Sequence, residues 1–423
     1  MDARIILITG AAGFVGRHLQ EAIAQRMPQA RLCLMDHPSS GICKAGAAIE
    51  YDEQTARVSA DLTCAEDSRL ALEALATNVG IPDLVFHLAA HAEVGRSFRA
   101  PSATYNANVV GTARLLEAIS DLTNTCRVLI PSSAQVYAAA GPCVAADSCA
   151  DSPSDDPDAA NDAVATGGVS EVDGADAADI DGTDAGDAGI VAIDDAGPPI
   201  NTTCLLDESA PIGPSSHYGV SKFAQEEIGR LFFETTGLPV MITRAFNHTG
   251  PGQGTGFVVP DFARQLAVLE REMATESWVA AAKRALAEPT KTPLPAGTIR
   301  VGNLDSRRDY LDVRDVVSAY LVVMERGTPG QPYNIASGTA WSTRKILEVL
   351  LSHCTVPISV YQDPKLLRPK DASVLIGDAS RLRALGWQAQ HNLSDTLRET
   401  LDYWRRMTGS RLSPHRPHGE TTQ

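Results

Sequence analysis

A tyrosine and a lysine four residues apart, Tyr218 and Lys222, open the stretch SHYGVSKFAQEEIGRLFFETTG. Its apolar residues Val220, Phe223, Ala224, Ile228, Leu231 and Phe232 recur at helical spacing, and Gly237 follows as a stop. In a helix both side chains then lie on one face, one turn apart. An ammonium that close favours the phenolate and lowers the tyrosine pKa, which makes the phenol a usable acid or base near neutral pH. A third group stands at SSAQVY, residues 132–137, where the apolar run CRVLIP ends in two serines. A hydroxyl at a strand end can polarise a carbonyl that accepts hydride, and Ser133 is the preferred candidate over Ser132. Two residues beyond Ser133 stands Gln135, an amide and therefore no base.

Hydride chemistry requires a dinucleotide, and the first strand-like run, RIILI at 4–8, leads straight into TGAAGFVG. Gly10, Gly13 and Gly16 allow a tight turn and close backbone approach to a pyrophosphate. Phe14 and Val15 belong to the same turn, and the helix-like HLQEAIAQ that follows offers the free N–H groups of its start to that anion. Asp36 ends the second strand, twenty residues beyond Gly16, where a carboxylate accepts hydrogen bonds from the adenosine ribose and repels a 2′-phosphate. That favours NAD(H) over NADP(H), while Arg17 and Lys44 nearby keep both open. Asp61 and Leu62 follow another strand and are placed near the adenine, although an Asp there also suits a helix cap. In HLAAHAEVGRS, 87–97, the small residues after the fourth strand, with Leu88, Ala89 and Ala90, fit backbone lying against a flat ligand. Lys222 is also placed to hold the nicotinamide ribose.

These groups need a parallel sheet to position them. RLCLM at 31–35, LVFHL at 84–88 and CRVLI at 126–130 alternate with amphipathic stretches, and PVMITR at 239–244 and YNIA at 333–336 continue the pattern. The alternation predicts an α/β fold, a Rossmann-type doubly wound parallel sheet, with a smaller C-terminal substrate lobe. The Rossmann domain is expected over 1–137 and 204–244, and the substrate lobe mainly over 245–408 with segments returning to the first domain. Between them, 138–203 loses all periodicity in favour of Ala, Asp, Gly, Pro and Ser, and is expected to be a disordered acidic insertion. A helix extension is expected over 268–289 and a frayed tail over 409–423.

The acidic stretch also explains the charge. Fifteen Asp and Glu fall between Asp147 and Asp195 with no Lys or Arg, so removing them from a net −16 leaves −1 for the rest. A near-neutral body argues against a nucleic-acid surface. No run approaches the roughly 18 apolar residues of a membrane span, and a strand beginning at Arg4 leaves no room for a signal peptide, so a cytoplasmic protein is expected. Eight cysteines without a CxxC pair predict reduced thiols and no structural metal.

TGxxGxxG, the Ser133 and Tyr-x-x-x-Lys set, and Asn108 in NANVVGT together resemble the extended short-chain dehydrogenase/reductase family over nearly the whole chain apart from the insertions. The resemblance implies catalytic roles for Ser133, Tyr218 and Lys222, cofactor contacts that include Asn108, and a homodimer. One departure is the 85-residue separation of Ser133 and Tyr218, which the acidic insertion lengthens. RAFNHTGPGQGTGFVVPDFARQLA at 244–267, VGNLDSRRDYLDVRDVV at 301–317 and LRPKDASVLIGDASRLRALGW at 367–387 are similar to the GDP-4-dehydro-6-deoxy-D-mannose reductases within that family. That similarity implies NAD(P)H-dependent reduction of a GDP-linked 4-keto-6-deoxy sugar to GDP-D-rhamnose, with Asn247, Arg308 and Arg368 facing the substrate. Forked arginine donors suit a diphosphate. A GDP-mannose 4,6-dehydratase would need a base where Gln135 stands. A 4-epimerase with retained NAD needs only the same three groups, and a non-catalytic regulator would need none of them.

Overall fold

The computed structural model describes residues 5–40, 49–52, 54–138, 205–274, 297–367 and 374–409. The apolar runs become strands β1 (Ile5–Thr9), β2 (Arg31–Asp36), β3 (Glu50–Tyr51), β4 (Thr55–Ser59), β5 (Leu84–His87), β6 (Arg127–Ser133) and β7 (Val240–Ala245), joined later by β11 (Pro332–Ile335). They lie in the order β11-β7-β6-β5-β1-β2-β4-β3, all parallel except the short edge strand β3. This is the expected doubly wound α/β sheet. Chain order reverses between β1 and β5, whose pairing runs from Ile6↔Leu84 to Thr9↔His87. A sheet of this kind offers its crevice at that point, beyond the carboxyl ends of the strands.

Both faces of the sheet are covered, as parallel strands require. Ile6 and Ile8 face Leu19 and Ile23 of α1 (Phe14–Arg26) and Val316, Val317 and Val323 of α8 (Val313–Arg326). Leu7 and Val85 face the other way, toward Leu72 and Leu75 of α2 (Ala65–Asn78), Leu115 and Ile119 of α5 (Gly111–Leu122), and Ile228 and Phe232 of α6 (His217–Thr236). Each such side chain, when fully buried, contributes roughly 1.5–3 kcal/mol. Short helices α3 (Val94–Arg99) and α4 (Pro101–Tyr105) lead through a π-turn at Asn106–Val110 into α5.

The second lobe is built around β10 (Arg307–Asp312), which pairs with β8 (Asn247–Thr249), β12 (Ala340–Ser342) and β14 (Val374–Leu375), while β9 (Thr298–Val301) pairs with β13 (Ser359–Gln362). Its core joins Val259, Phe262 and Leu266 of α7 (Val258–Ala274), Ile346 and Leu350 of α9 (Thr343–Ser352), and Leu393, Leu397 and Leu401 of α11 (Leu393–Met407). The five-residue α10 (Ser380–Ala384) packs back on the first lobe through Leu382. After residue 245, α8 and β11 also belong to the first lobe.

Three expectations fall largely outside the described residues: the acidic insertion from residue 139 onward, the helix extension beyond Ala274, and the tail after residue 409. The two chain ends that flank the insertion are described and lie side by side. The Ala138 N–H donates to the Pro211 carbonyl at 2.8 Å, the Gly213 N–H donates to Val136 at 3.0 Å, and Tyr137 pairs antiparallel with Ile212. No helix among the described residues is long and apolar enough to cross a membrane.

Candidate active site

The turn after β1 has the shape of an anion cradle. Gly10 adopts φ +68°, and a Cβ there would lie 2.8 Å from the Ala89 nitrogen. At Gly16 a Cβ would lie 2.5 Å from the Ala11 carbonyl oxygen, and at Gly13, 3.0 Å from that of Gly10. Gly13 caps α1 with no side chain over the helix start, so the first-turn N–H groups of Phe14 and Val15 face the crevice uncovered. These features fit a dinucleotide pyrophosphate.

Asp36 is buried at the end of β2, and its carboxylate accepts the Ala12 N–H at 3.0 and 3.2 Å. Burial raises its pKa, against the lowering effect of that hydrogen bond. Asp61 accepts both the N–H and the hydroxyl of Thr63, at 2.9 and 2.7 Å, in the turn before α2, with His37 3.8 Å from its other oxygen. Burial works against it, yet those bonds and His37 hold its pKa below the usual range. Leu62 is buried next to Gly111. Arg17 donates to the carbonyls of Ala12 and Gly252 at 2.6 and 3.0 Å, which ties the turn to the second lobe; Lys44 lies outside the described residues. Phe14 stacks on His248 at 6.3 Å, closing the same seam.

The segment 88–91 runs beside this turn and is held at both ends. The Ala89 N–H donates to Thr9 Oγ1 at 3.2 Å, and the Asn108 amide takes the His91 N–H at 2.7 Å and gives to the His91 carbonyl at 3.1 Å. Leu88 and Ala90 are partly exposed along the same stretch. Asn108 is itself fully buried in the π-turn and donates to Ser221 Oγ of α6 at 2.9 Å.

Successive residues at the end of β6 point to opposite sides. Ser132 Oγ is buried and has no hydrogen-bond partner, whereas Ser133 accepts the Gln135 N–H at 3.2 Å and stands close enough to Tyr218 to work against the rise in its pKa. Tyr218 arrives there because α6 starts tightly against the 3₁₀ turn Ala134–Val136. Its N-cap Ser216 accepts the Gly219 N–H at 3.0 Å, and a Cβ on Gly219 would lie 2.4 Å from the Gln135 carbonyl oxygen. Lys222, 5% exposed, follows one turn later with Nζ 6.0 Å from the centre of the Tyr218 ring, and donates to the Pro131 carbonyl at 2.8 Å.

The electrostatics differ from the expected lowering of Tyr218. Burial raises its pKa, with Ser133 opposing, and the residue as a whole is half-buried. Burial also pushes Lys222 down to about 8, opposed by the carboxylate of Glu226. Pointing at Pro131, the ammonium does less for the phenol than helical spacing alone suggests.

In the second lobe Asn247 and Arg308 gather around Tyr310. Asn247 pairs with Tyr310 across β8 and β10, and Arg308 stands two residues before it, donating to the Arg307 carbonyl at 2.7 Å. Arg368 lies outside the described residues. The sequence reading missed the buried polar residues beneath the site, His87, Thr112, Gln225, Glu226 and Arg244. The visible signal was charge and amide groups at helical spacing on the Lys222 face of α6. Among the described residues no group of three or more His, Cys, Asp or Glu is placed to hold a metal ion.

Comparison with known proteins bears on the family and the fold. Residues 6–159 match the NAD dependent epimerase/dehydratase family and residues 201–400 the GDP-mannose 4,6 dehydratase family. The chain is 28% identical over 400 residues to the GDP-6-deoxy-D-mannose reductase of Pseudomonas aeruginosa, covering 94% of this chain and 96% of that one. It is 24% identical over 412 residues to the dTDP-glucose 4,6-dehydratase of Xanthomonas campestris, covering 94% and 92%. Among solved structures, RMD from Pseudomonas aeruginosa complexed with NADPH superposes with a TM-score of 0.64 at 25% identity, covering 96% of this chain and 99% of that one.

Proposed function

Since the chain belongs to the NAD-dependent epimerase/dehydratase family, we propose that it reduces the C4 ketone of GDP-4-dehydro-6-deoxy-D-mannose to GDP-D-rhamnose. The observation that carries this reading is the meeting of Tyr218, Ser133 and Lys222 at the end of β6, two strands from the glycine turn after β1 and with an amide at 135. A bound NADH or NADPH supplies the hydride. Gly10, Gly13 and Gly16 make room for its pyrophosphate; the first turn of α1 at Phe14 and Val15 holds that anion, and Asp36 takes the adenosine ribose. Asp61 and Leu62 border the adenine side, while Leu88, Ala89, Ala90 and Asn108 form and brace the wall along the ring system.

Reduction generates an alkoxide on the substrate, and Tyr218 Oη delivers the proton to that oxygen. Its raised pKa suits this direction, because the phenol must arrive protonated. Ser133 Oγ donates a hydrogen bond to the same oxygen, and the Lys222 ammonium stabilises the phenolate left behind. Asn247, Arg308 and Arg368 are the proposed contacts to the nucleotide sugar. The name of the Pseudomonas aeruginosa relative supports the choice of sugar. The family match over 201–400 raises a dehydratase instead, but that reaction needs a base to take the C5 proton, and Gln135 cannot serve as one.

The test supplies purified protein with GDP-4-keto-6-deoxymannose and either NADH or NADPH, follows the loss of reduced-cofactor absorbance, and identifies the sugar formed. Oxidation of one cofactor with formation of GDP-D-rhamnose is expected. Water lost from GDP-mannose without cofactor consumption overturns the assignment, and the ratio of rates with the two cofactors measures the discrimination assigned to Asp36.

A further inference from the structure

His87, at the end of β5, is 2% exposed and bridges β1 and α5. Its Nδ1 lies 2.8 Å from Thr9 Oγ1 of β1, and its Nε2 lies 2.9 Å from Thr112 Oγ1 of α5. The protons along this chain can be assigned. The Asn108 carbonyl only accepts, so the Thr112 hydroxyl, 2.6 Å away, directs its single proton there. The lone pairs of Thr112 then receive Gln225 Nε2–H of α6, at 2.6 Å, and His87 Nε2–H. With its proton on Nε2, the neutral ring accepts at Nδ1, so the Thr9 hydroxyl donates to it and its oxygen is left to accept the Ala89 N–H. A second proton on the ring would displace the Thr9 proton from its acceptor. Burial and the nearby Lys222 ammonium oppose that proton as well, and hold the His87 pKa at about 3.

We propose that His87 is a positioning residue, fixed as the neutral Nε2–H imidazole, that locks the cofactor wall at 88–91 to the catalytic helix α6. The proposal rests on the reading that the cofactor lies along that wall. One end of the wall hangs from Thr9, and the other from Asn108, whose amide also reaches Ser221 of α6. Both connections run through Thr112, which binds the Asn108 carbonyl, His87 and Gln225. The spacing is narrow, since the Cβ that Gly10 lacks would lie 2.8 Å from the Ala89 nitrogen. A wall released from Thr9 would shift against the turn that holds the pyrophosphate.

Two measurements test this. In the full chain labelled with ¹⁵N-histidine, long-range ¹H–¹⁵N spectra should show one imidazole, absent in His87→Gln, with a protonated Nε2 and bare Nδ1 from pH 8 to pH 5. An Nδ1–H tautomer, or titration near the usual histidine range of about 6.5, overturns the proposal without involving any ligand. The second measurement is the dissociation constant for NADH and NADPH, which should rise about tenfold or more in Thr9→Val and His87→Phe. His87→Gln, which keeps a donor toward Thr112, should recover part of that loss. Should His87→Phe fail to fold, Thr9→Val against the wild type carries the comparison. Unchanged cofactor affinity with lowered melting temperature alone reduces His87 to packing and overturns the proposal. Wild-type protein that binds neither cofactor overturns the wall and the proposed function together.

Discussion

Helices α6 and α8 cover opposite faces of the same sheet and bury opposite kinds of surface. On α8 the buried residues are almost all apolar: Val313, Val316, Val317, Ala319, Tyr320, Leu321, Val323 and Met324. On α6 they are Gly219, Ser221, Lys222, Gln225, Glu226 and Gly229, while Val220 and Leu231 stand 40% and 49% exposed. The first arrangement is what hydrophobic burial alone produces. The second is costly unless each polar group finds a partner, and α6 finds most of them. Glu226 binds Arg244 of β7 through two hydrogen bonds, at 3.0 and 2.7 Å, with both side chains buried. Arg244 continues to the Tyr137 hydroxyl at 3.2 Å and the Glu208 carbonyl at 3.1 Å, and Tyr137 donates to Asn334 at 2.6 Å. On α6 the Gln225 side-chain oxygen is the exception, buried without a hydrogen-bond partner. The helix that carries the proposed reacting groups thus buries a polar face and satisfies most of it with protein hydrogen bonds, whereas the helix on the opposite face buries aliphatic and aromatic side chains.

Substitutions can break this contrast. The largest effect is expected from Tyr218→Phe, which removes the proton donor and should lower kcat by about 10²–10⁴-fold while cofactor affinity stays near wild type. A variant retaining most of its turnover would remove Tyr218 from the mechanism. Next comes Glu226→Gln, which strands the buried Arg244 and should cost about 3–5 kcal/mol in denaturant unfolding. On α8 the corresponding change, Met324→Ala, leaves a cavity and should cost about 2–5 kcal/mol, with kinetic constants in the surviving folded enzyme unchanged. If Glu226→Gln spared stability and Met324→Ala altered turnover, the two helices would not divide the labour as described.

A smaller effect concerns pH. With Lys222 at about 8 in the folded protein, kcat/KM for the sugar should fall as pH rises through that value, because the ammonium that stabilises the phenolate is lost. The same shift carries a stability consequence of opposite sense. The unfolded lysine, near 10.5, holds its proton more tightly than the folded one, so this group's contribution to stability grows between pH about 8 and 10.5 and is lost as pH falls back through that window. An activity profile flat to pH 9.5 would contradict the assignment. The smallest effect is expected from deleting 140–202. The flanking strands are already joined through Ala138 and Pro211, so turnover should remain within about twofold. A large loss would show that the acidic segment takes part in the site.

The legible parts of this site are those written as spacing. Gly10, Gly13 and Gly16 with Asp36 at the second strand end announce a dinucleotide turn, and Tyr218 with Lys222 announces a reactive helix face. The apolar periodicity that reveals α6 says nothing about which side is buried, and it misleads if read as a core stripe. Val220 and Leu231 belong to that stripe and are exposed. His87, Thr112 and Arg244 were illegible because each sits alone in its own strand or helix. Their value comes from partners 25, 113 and 18 residues away.

By itself the sequence determined the doubly wound sheet, the glycine turn and the candidates for the reacting groups, because local periodicity, turn chemistry and helical spacing are properties of short segments. Only the tertiary structure decided that Ser133 rather than Ser132 meets Tyr218, that Lys222 turns to Pro131, and that burial raises the phenol's pKa instead of lowering it. Those outcomes depend on desolvation and on which distant backbone groups are brought within hydrogen-bond reach, and neither is encoded in the spacing of residues along the chain.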